Sequence, residues 1–181
     1  MDHPDSIQDE LLLLQCQQGD MVSFDRLVQR WQQPLLIYAY RLTGEWAVAQ
    51  DVVQETWLVV IRSLITLKDV ARFRAWLFRI ASHKCQDHWR RRRTSQQFAQ
   101  ELEKQPAAVA GPPNAERSDI GDAFRRLPPE SRTVLALMYL EDFSIGEIAD
   151  VLLLPEGTVK SRLFHARKQL RQLMEKDYGT V

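Results

Sequence analysis

Ser144 to Leu170 reads SIGEIADVLLLPEGTVKSRLFHARKQL, and its punctuation decides the fold. Ser144 and Glu147 have capping-box spacing, in which a hydroxyl and a carboxylate each satisfy a backbone donor left open at a helix start. Ile145, Ile148, Ala149 and Leu152 follow at helical spacing. A brief turn ends at Pro155, and a long basic helix is expected from Glu156 to about Glu175, free of acids from Thr158 to Met174. Helix, tight turn, helix is how a second helix is presented to the major groove. Short side chains at its start let the backbone approach, Lys and Arg neutralise phosphates, and a few polar groups reach base edges. Val159 and Leu163, four apart, are expected to pack inward, which turns Lys160, Ser161, Phe164 and His165 outward. A bundle whose last helix carries a solvated basic face would show the same pattern.

Working outward, helices resume at Asp119, and Pro129 suits the first turn of a helix carrying Val134, Leu135, Met138 and Tyr139. Before them, from Thr94 to about Ser118, periodic apolar residues disappear and stretches such as QPAAVAGPPNAE take over, the composition of a linker. Roughly 25 residues reach about 80 Å when extended, enough to hold flanking units two helical turns of DNA apart, about 70 Å. The first ninety residues read as helices throughout. One spans Ile7 to Gln18 and stops at Gly19. A second carries Phe24, Leu27, Val28, Trp31 and Leu35, with a kink expected at Pro34. A third carries Val53, Trp57, Val60, Ile61 and Leu64 on one side. A fourth runs from about Arg72 through Phe73, Trp76, Leu77 and Ile80 to Trp89. No stretch alternates with period two. The expected fold is all-α: two small helical domains, 1–93 and 119–181, joined by a flexible linker at 94–118, the second a helix-turn-helix.

The formal net charge is zero, which taken alone argues against a nucleic-acid binder; its distribution does not. From Met1 to Leu67, Arg26, Arg30, Arg41 and Arg62 stand against nine acids, a balance of −5. From Lys68 to Arg93, nine basic residues stand against Asp69 and Asp87, a balance of +7. Residues 158–174 add Lys160, Arg162, Arg167, Lys168 and Arg171. Such segregation points to a polyanion on one face and a different partner on another. The start, MDHPDSIQDE, has neither the basic nor the apolar region of a secretory signal. No apolar run approaches the roughly 18 residues that cross a bilayer, so direct membrane insertion is not expected. Cys16 and Cys85 are the only cysteines, and the expectation is a cytoplasmic protein with reduced thiols. His83, Cys85 and His88 do not share one helix face and have no fourth ligand nearby, so no metal is expected. No glycine-rich phosphate loop, Ser–His–Asp set or carboxylate pair in an apolar setting is legible. A small nuclease built on acids such as Asp51 and Glu55 is therefore disfavoured; neither enzymatic activity nor a cofactor is expected.

Two blocks carry a family resemblance. LPPESRTVLALMYLEDFSIGEIADVLLLPEGTVKSRLFHARKQLRQL, Leu127–Leu173, resembles region 4 of the extracytoplasmic-function sigma factors of bacterial RNA polymerase, although LuxR-type response regulators share a related motif. The resemblance implies a helix-turn-helix that reads the promoter −35 element, with Lys160, Ser161, Phe164 and His165 facing bases and Arg162 and Arg167 on phosphates or in support. Leu153 stands where the family usually has glycine; leucine disfavours a positive φ, so a turn different in detail is expected. YAYRLTGEWAVAQDVVQETWLVVIRSL and ARFRAWLFRIASHKCQDHWRRRR resemble sigma region 2. That implies docking on the clamp helices of the polymerase β′ subunit through Asp51, Gln54 and Glu55, which share one polar helix face. It also implies recognition and melting of the −10 element, for which Arg72, Arg74, Arg79, His83 and Lys84 supply the cationic track and Trp76 is weighed chiefly as core. The loop LKDVARF departs from the usual glycine and acid, which leaves the base pocket open. The implied partners are core RNA polymerase, through the β′ clamp helices and the β flap, promoter DNA, and an anti-sigma factor, often membrane-anchored in this family. The alternative is a helix-turn-helix regulator that does not dock on polymerase.

Overall fold

Two helical units share one hydrophobic interior in the computed structural model, which describes residues 6–99 and 119–178. The first unit comprises α1 (Ser6–Gln17), α2 (Met21–Thr43), α3 (Trp46–Ser63), two short 3-10 turns (Leu64–Thr66 and Val70–Arg72) and α4 (Phe73–Ala99). The second comprises α5 (Asp119–Arg125), α6 (Pro129–Tyr139), α7 (Ile145–Leu152) and α8 (Glu156–Tyr178). Among the described residues there is no strand.

Local chemistry explains the boundaries. Asp20 caps α2 by accepting from the Val22 N–H at 2.9 Å. Gly44 ends that helix in the left-handed conformation, φ 79°, a position glycine occupies without a Cβ clash. α2 runs through Pro34, which has no N–H to bond the carbonyl four residues earlier. α4 extends beyond Trp89, and beyond Arg93, to Ala99. Residues 94–99, TSQQFA, contain no Gly or Pro, so the composition change there is not a helix stop. The remainder of the expected linker, 100–118, lies outside the described residues.

α1, α3 and α4 pack around α2. Tyr38 is fully buried, its ring edge-on to Phe78 at 4.9 Å and its hydroxyl 2.7 Å from Ser82 Oγ. Trp57 Nε1 donates to Gln32 and Trp31 Nε1 to Asp9, so each half-apolar indole has its polar end satisfied. The Gln17 amide donates to the carbonyls of Leu64 and Leu67, at 3.1 and 2.8 Å, and so pins the loop that leads into α4.

The second unit sits on α4 and on the end of α2. Phe143, 1% exposed, packs edge-on against Phe78 of the first unit at 5.3 Å. Asp142, at φ 52°, makes the turn before it, and Phe143 N–H bonds the Leu137 carbonyl. Arg132 is buried at 9% exposure and has three carbonyl acceptors: Leu42 at the end of α2, Arg125 and Leu127. The last carbonyls of a helix lack intrahelical donors, and a guanidinium fork supplies one across the boundary. Burial, and secondarily the like charge of Arg125, brings the Arg132 pKa down to about 10.

Replacing Arg132 by Met should therefore leave buried carbonyls unbonded and destabilise the chain by about 2–3 kcal/mol in urea unfolding. Lys should recover little of this, because an ammonium cannot reproduce the fork.

Candidate nucleic-acid and partner interfaces

The acidic face of α3 is built as its spacing requires. Val52, Val53, Thr56 and Trp57 are buried, leaving Asp51 and Gln54 exposed and Glu55 half-buried beside them. Glu55 is not free: its carboxylate meets Lys84 Nζ at 3.0 Å, joining α3 to α4. The exposed stripe continues through Leu58 and Ile61, 48% and 47% exposed. Ile61 was expected on the inner side with Val53 and Val60; it stands seven residues after Gln54, two turns along the same face. Leu58 and Ile61 with Phe24, Val28 and Leu36 line a groove of about 490 Å³ between α2 and α3. The signal for it lay in apolar residues at i+4 and i+7 from a polar position.

Arg72, which ends the 3-10 turn just before α4, and the basic residues of α4 up to Lys84 point in three directions. Arg72 and His83 are exposed, Arg79 is half-buried, and Trp76 lies between them, so that 72, 76, 79 and 83 form one stripe at helical spacing. Trp76 is half-buried against Phe73, ring centroids 6.1 Å apart, and with Arg72, Arg79 and Leu67 it lines a cleft of about 180 Å³. Arg74 is turned elsewhere. It donates to the Glu141 carbonyl, lies 4.1 Å over the Phe143 ring, and has its pKa lowered by burial. Lys84 is turned toward α3 by Glu55, and His83 sits 3.5 Å from Asp87. Hence Arg72, Arg79 and His83 share a surface, whereas Arg74 and Lys84 do not belong to it. Cys85 is fully buried, its thiol pushed up to about 12, while His83 faces solvent.

α7 and α8 form the helix-turn-helix. The capping box is present in both directions, Ser144 with Glu147. Leu153 takes the left-handed conformation, φ 54° and ψ 46°, against the φ preference of leucine. Its N–H and that of Leu154 both reach the Ala149 carbonyl, and this helix-end bonding outweighs the steric cost at one residue. The Leu153 side chain stays 70% exposed.

On α8, Val159, Leu163 and Ala166 are buried against the unit. Lys160, Ser161, Phe164, His165 and Arg167 are exposed, and Phe164 is 65% exposed with its ring 5.4 Å from that of His165. Lys160 pairs loosely with Glu156 at 3.4 Å, and Ser131 ties α6 to α8 through Gln169 at 2.7 Å. Arg162 departs from the group. It is half-buried and lines a cleft of about 330 Å³ together with Trp89 and Arg90 of α4.

Residues 27–95 match the family model described as sigma-70 region 2, and residues 117–170 that described as sigma-70, region 4. The RNA polymerase sigma-H factor of Pseudomonas aeruginosa is 31% identical over 182 residues, 93% of this chain and 94% of that protein. The ECF RNA polymerase sigma factor SigL of Mycobacterium tuberculosis is 38% identical over 147 residues, 76% of this chain and 81% of the relative. Among solved structures, CnrH in complex with the cytosolic domain of CnrY superposes with a TM-score of 0.70 at 29% identity, covering 93% of this chain and 98% of that one. The sigma factor RpoE in complex with the anti-sigma factor NepR, from Bartonella quintana, shares the fold at a TM-score of 0.71 and 23% identity, over 84% of this chain and 96% of that one.

The left-handed leucine yields a prediction. A non-glycine residue there costs roughly 1–2 kcal/mol, and the exposed side chain offers little packing in return. Leu153→Gly should raise stability by up to about 1 kcal/mol in thermal unfolding, and Leu153→Ala should leave it nearly unchanged.

Proposed function

The chain belongs to the extracytoplasmic-function group of RNA polymerase sigma factors, and from that membership we propose how its surfaces divide the work of initiation. A sigma factor binds core RNA polymerase and directs it to promoters. The match of residues 27–95 to region 2 decides against a helix-turn-helix regulator without polymerase docking. Residues 1–93 serve as the unit that docks on polymerase and opens the −10 region, and residues 119–181 as the unit that reads the −35 element. The protein itself catalyses nothing, and its work on polymerase places it in the cytoplasm.

Docking uses the α3 face. Asp51 and Gln54 supply exposed polar contacts toward the β′ clamp helices, with Glu55 shared with Lys84. Leu58 and Ile61 add apolar area that becomes buried on binding. On α4 the stripe of Arg72, Trp76, Arg79 and His83 faces −10 DNA, combining cations with an aromatic as the capture of unstacked bases requires. On α8, Lys160, Ser161, Phe164 and His165 face −35 bases, and Arg167 meets a phosphate. The β flap is the further polymerase contact of the second unit. CnrH and RpoE are held by protein partners in their solved complexes, and an anti-sigma factor is proposed as the regulator of this chain.

The observation that carries this reading is that the exposed row of α8 and the polar-to-apolar face of α3 lie on two units of one chain. Asp51→Lys with Gln54→Lys should abolish holoenzyme formation in size-exclusion chromatography while helicity stays unchanged; these two positions leave the Glu55–Lys84 tie intact. Intact holoenzyme would refute the docking assignment. In selections of randomised −35 sequences with holoenzyme, Lys160→Ala should relax preference at particular positions by about 1–3 kcal/mol. Arg167→Ala should instead weaken all sequences alike and lower the salt slope by about one. Equal, position-independent losses in both variants would count against base reading by α8.

A further inference from the structure

The segment that leads into α4 has little to hold it from within. Between Leu64 and Phe73 no residue is buried: Leu67 and Val70 are half-buried and the others exposed. Its own bonds are short-range, from Leu67 N–H to the Leu64 carbonyl, Thr66 Oγ1 to that of Ser63, and Arg72 N–H to that of Asp69. The long-range tie comes from α1. Gln17, the last residue of that helix, donates to the Leu64 and Leu67 carbonyls at 3.1 and 2.8 Å, across 47 and 50 positions of chain. Both partners are acceptors, so the amide presents its nitrogen, whose two hydrogens serve one carbonyl each. Among the described residues, no other side chain from outside the segment bonds its backbone.

α1 is itself a fixed base. Leu12 and Leu13 are buried, and three side chains of α2 hold the helix. Arg30 pairs with Asp9 at 2.9 Å, Trp31 Nε1 donates to Asp9 at 3.2 Å, and Ser23 donates to Gln15 at 2.7 Å. On the other side of the segment lies the DNA-facing stripe. Leu67, Asp69 and Arg72 share with Trp76 and Arg79 the cleft of about 180 Å³, and Arg72 pairs with Asp69 at 3.2 Å. A shift of the Leu64–Leu67 turn therefore moves one wall of the cleft, while Trp76 and Arg79, seated on α4, stay in place.

We propose that Gln17 is a positioning residue for −10 recognition: from the end of α1 it sets the Leu64–Leu67 turn, and through Leu67 and Asp69 the shape of the cleft that holds an unstacked base. The proposal rests on the reading of the α4 stripe as the −10 surface and adds a residue that touches neither DNA nor polymerase. It gives α1 a part in promoter selection. Pocket geometry is sensitive to such remote support, since roughly an ångström of misplacement can cost on the order of a hundredfold in rate. Because both bonds end on carbonyls, what counts at position 17 is an N–H donor of sufficient reach, neither a volume nor a negative charge.

Three variants of the full chain, each reconstituted with core polymerase, provide the test. Gln17→Glu keeps the shape and sets carboxylate oxygens against two carbonyls. Gln17→Met keeps the length without a donor, and Gln17→Lys restores donors. Selections of randomised −10 sequences read base preference, and permanganate reactivity of promoter thymines reads opening. The Glu and Met variants should lose about tenfold in both, with holoenzyme formation and −35 preference as in the wild type, and the Lys variant should stay close to the wild type. Wild-type −10 preference and opening in the Glu and Met variants would overturn the proposal. Equal losses in all three would also overturn it, by marking position 17 as packing alone, and so would loss of holoenzyme formation, by making it part of docking. Should Gln17→Glu lose helicity, Gln17→Met decides by the same measurements. The reading beneath is tested apart: Arg79→Ala opening promoters at the wild-type rate would overturn the −10 assignment of α4, and the role of Gln17 with it.

Discussion

The guanidinium of Arg132 is the constraint on which the arrangement of the two units depends. A buried cation with no carboxylate partner is costly unless its donors are satisfied. Here its two terminal nitrogens bond the carbonyls of Leu42, Arg125 and Leu127, which belong to helix ends and turns, while Nε is buried without a hydrogen-bond partner. One side chain thus ties the end of α2 to the α5–α6 turn and sets which face of α6 meets the first unit. With α6 held there, the α6–α7 loop falls on α4, and Phe143 and Arg74 follow. The indole of Trp89, 6.0 Å from the Arg132 guanidinium carbon, completes the surroundings from the α4 side.

What was legible in the sequence was local. The capping box of Ser144 and Glu147, the inward Val159 and Leu163, the stop at Gly19 and the absence of strands among the described residues all depend on residues within a turn or two of one another. The helix-turn-helix was therefore readable from Ser144 onward, as were the exposure of Lys160, Ser161, Phe164 and His165 and the polar face of Asp51 and Gln54. Ile61 was misplaced because helical spacing gives a face but not its sign when apolar residues lie on two sides of one helix. The reach of α4 to Ala99 was missed because polar residues without Gly or Pro permit a helix as readily as a coil.

The remaining differences are long-range. Nothing near Arg74 in the chain announces Glu141 or Phe143, 67 and 69 positions away, and nothing near Lys84 announces Glu55. Both were counted among cations for DNA because a basic residue on a basic helix is solvent-facing by default. A basic run on a helix therefore overstates its polyanion surface wherever the helix is central to the packing. α4 contacts α2, α3, α6 and α7; the stripe through Arg72, Trp76, Arg79 and His83 stays toward the surface, as do Arg90, Arg91 and Arg92 farther along.

The same reasoning bears on the balance between the units. A permanent interface would be expected to bury apolar side chains across most of its area, as obligate interfaces do. Here the aromatic centre is small, and the pairs around it include one, Arg72 with Asp150, whose side chains are more than half exposed. Exposed pairs of this kind contribute at most about 1 kcal/mol. The stronger links are Phe143 against Phe78 and the bonds of Arg74 and Arg132 to carbonyls, and water could replace the partners of those bonds if the units separated. Only Phe143 would lose its surroundings without an obvious substitute, so the apolar centre, rather than the ion pairs, sets the cost of separating the units.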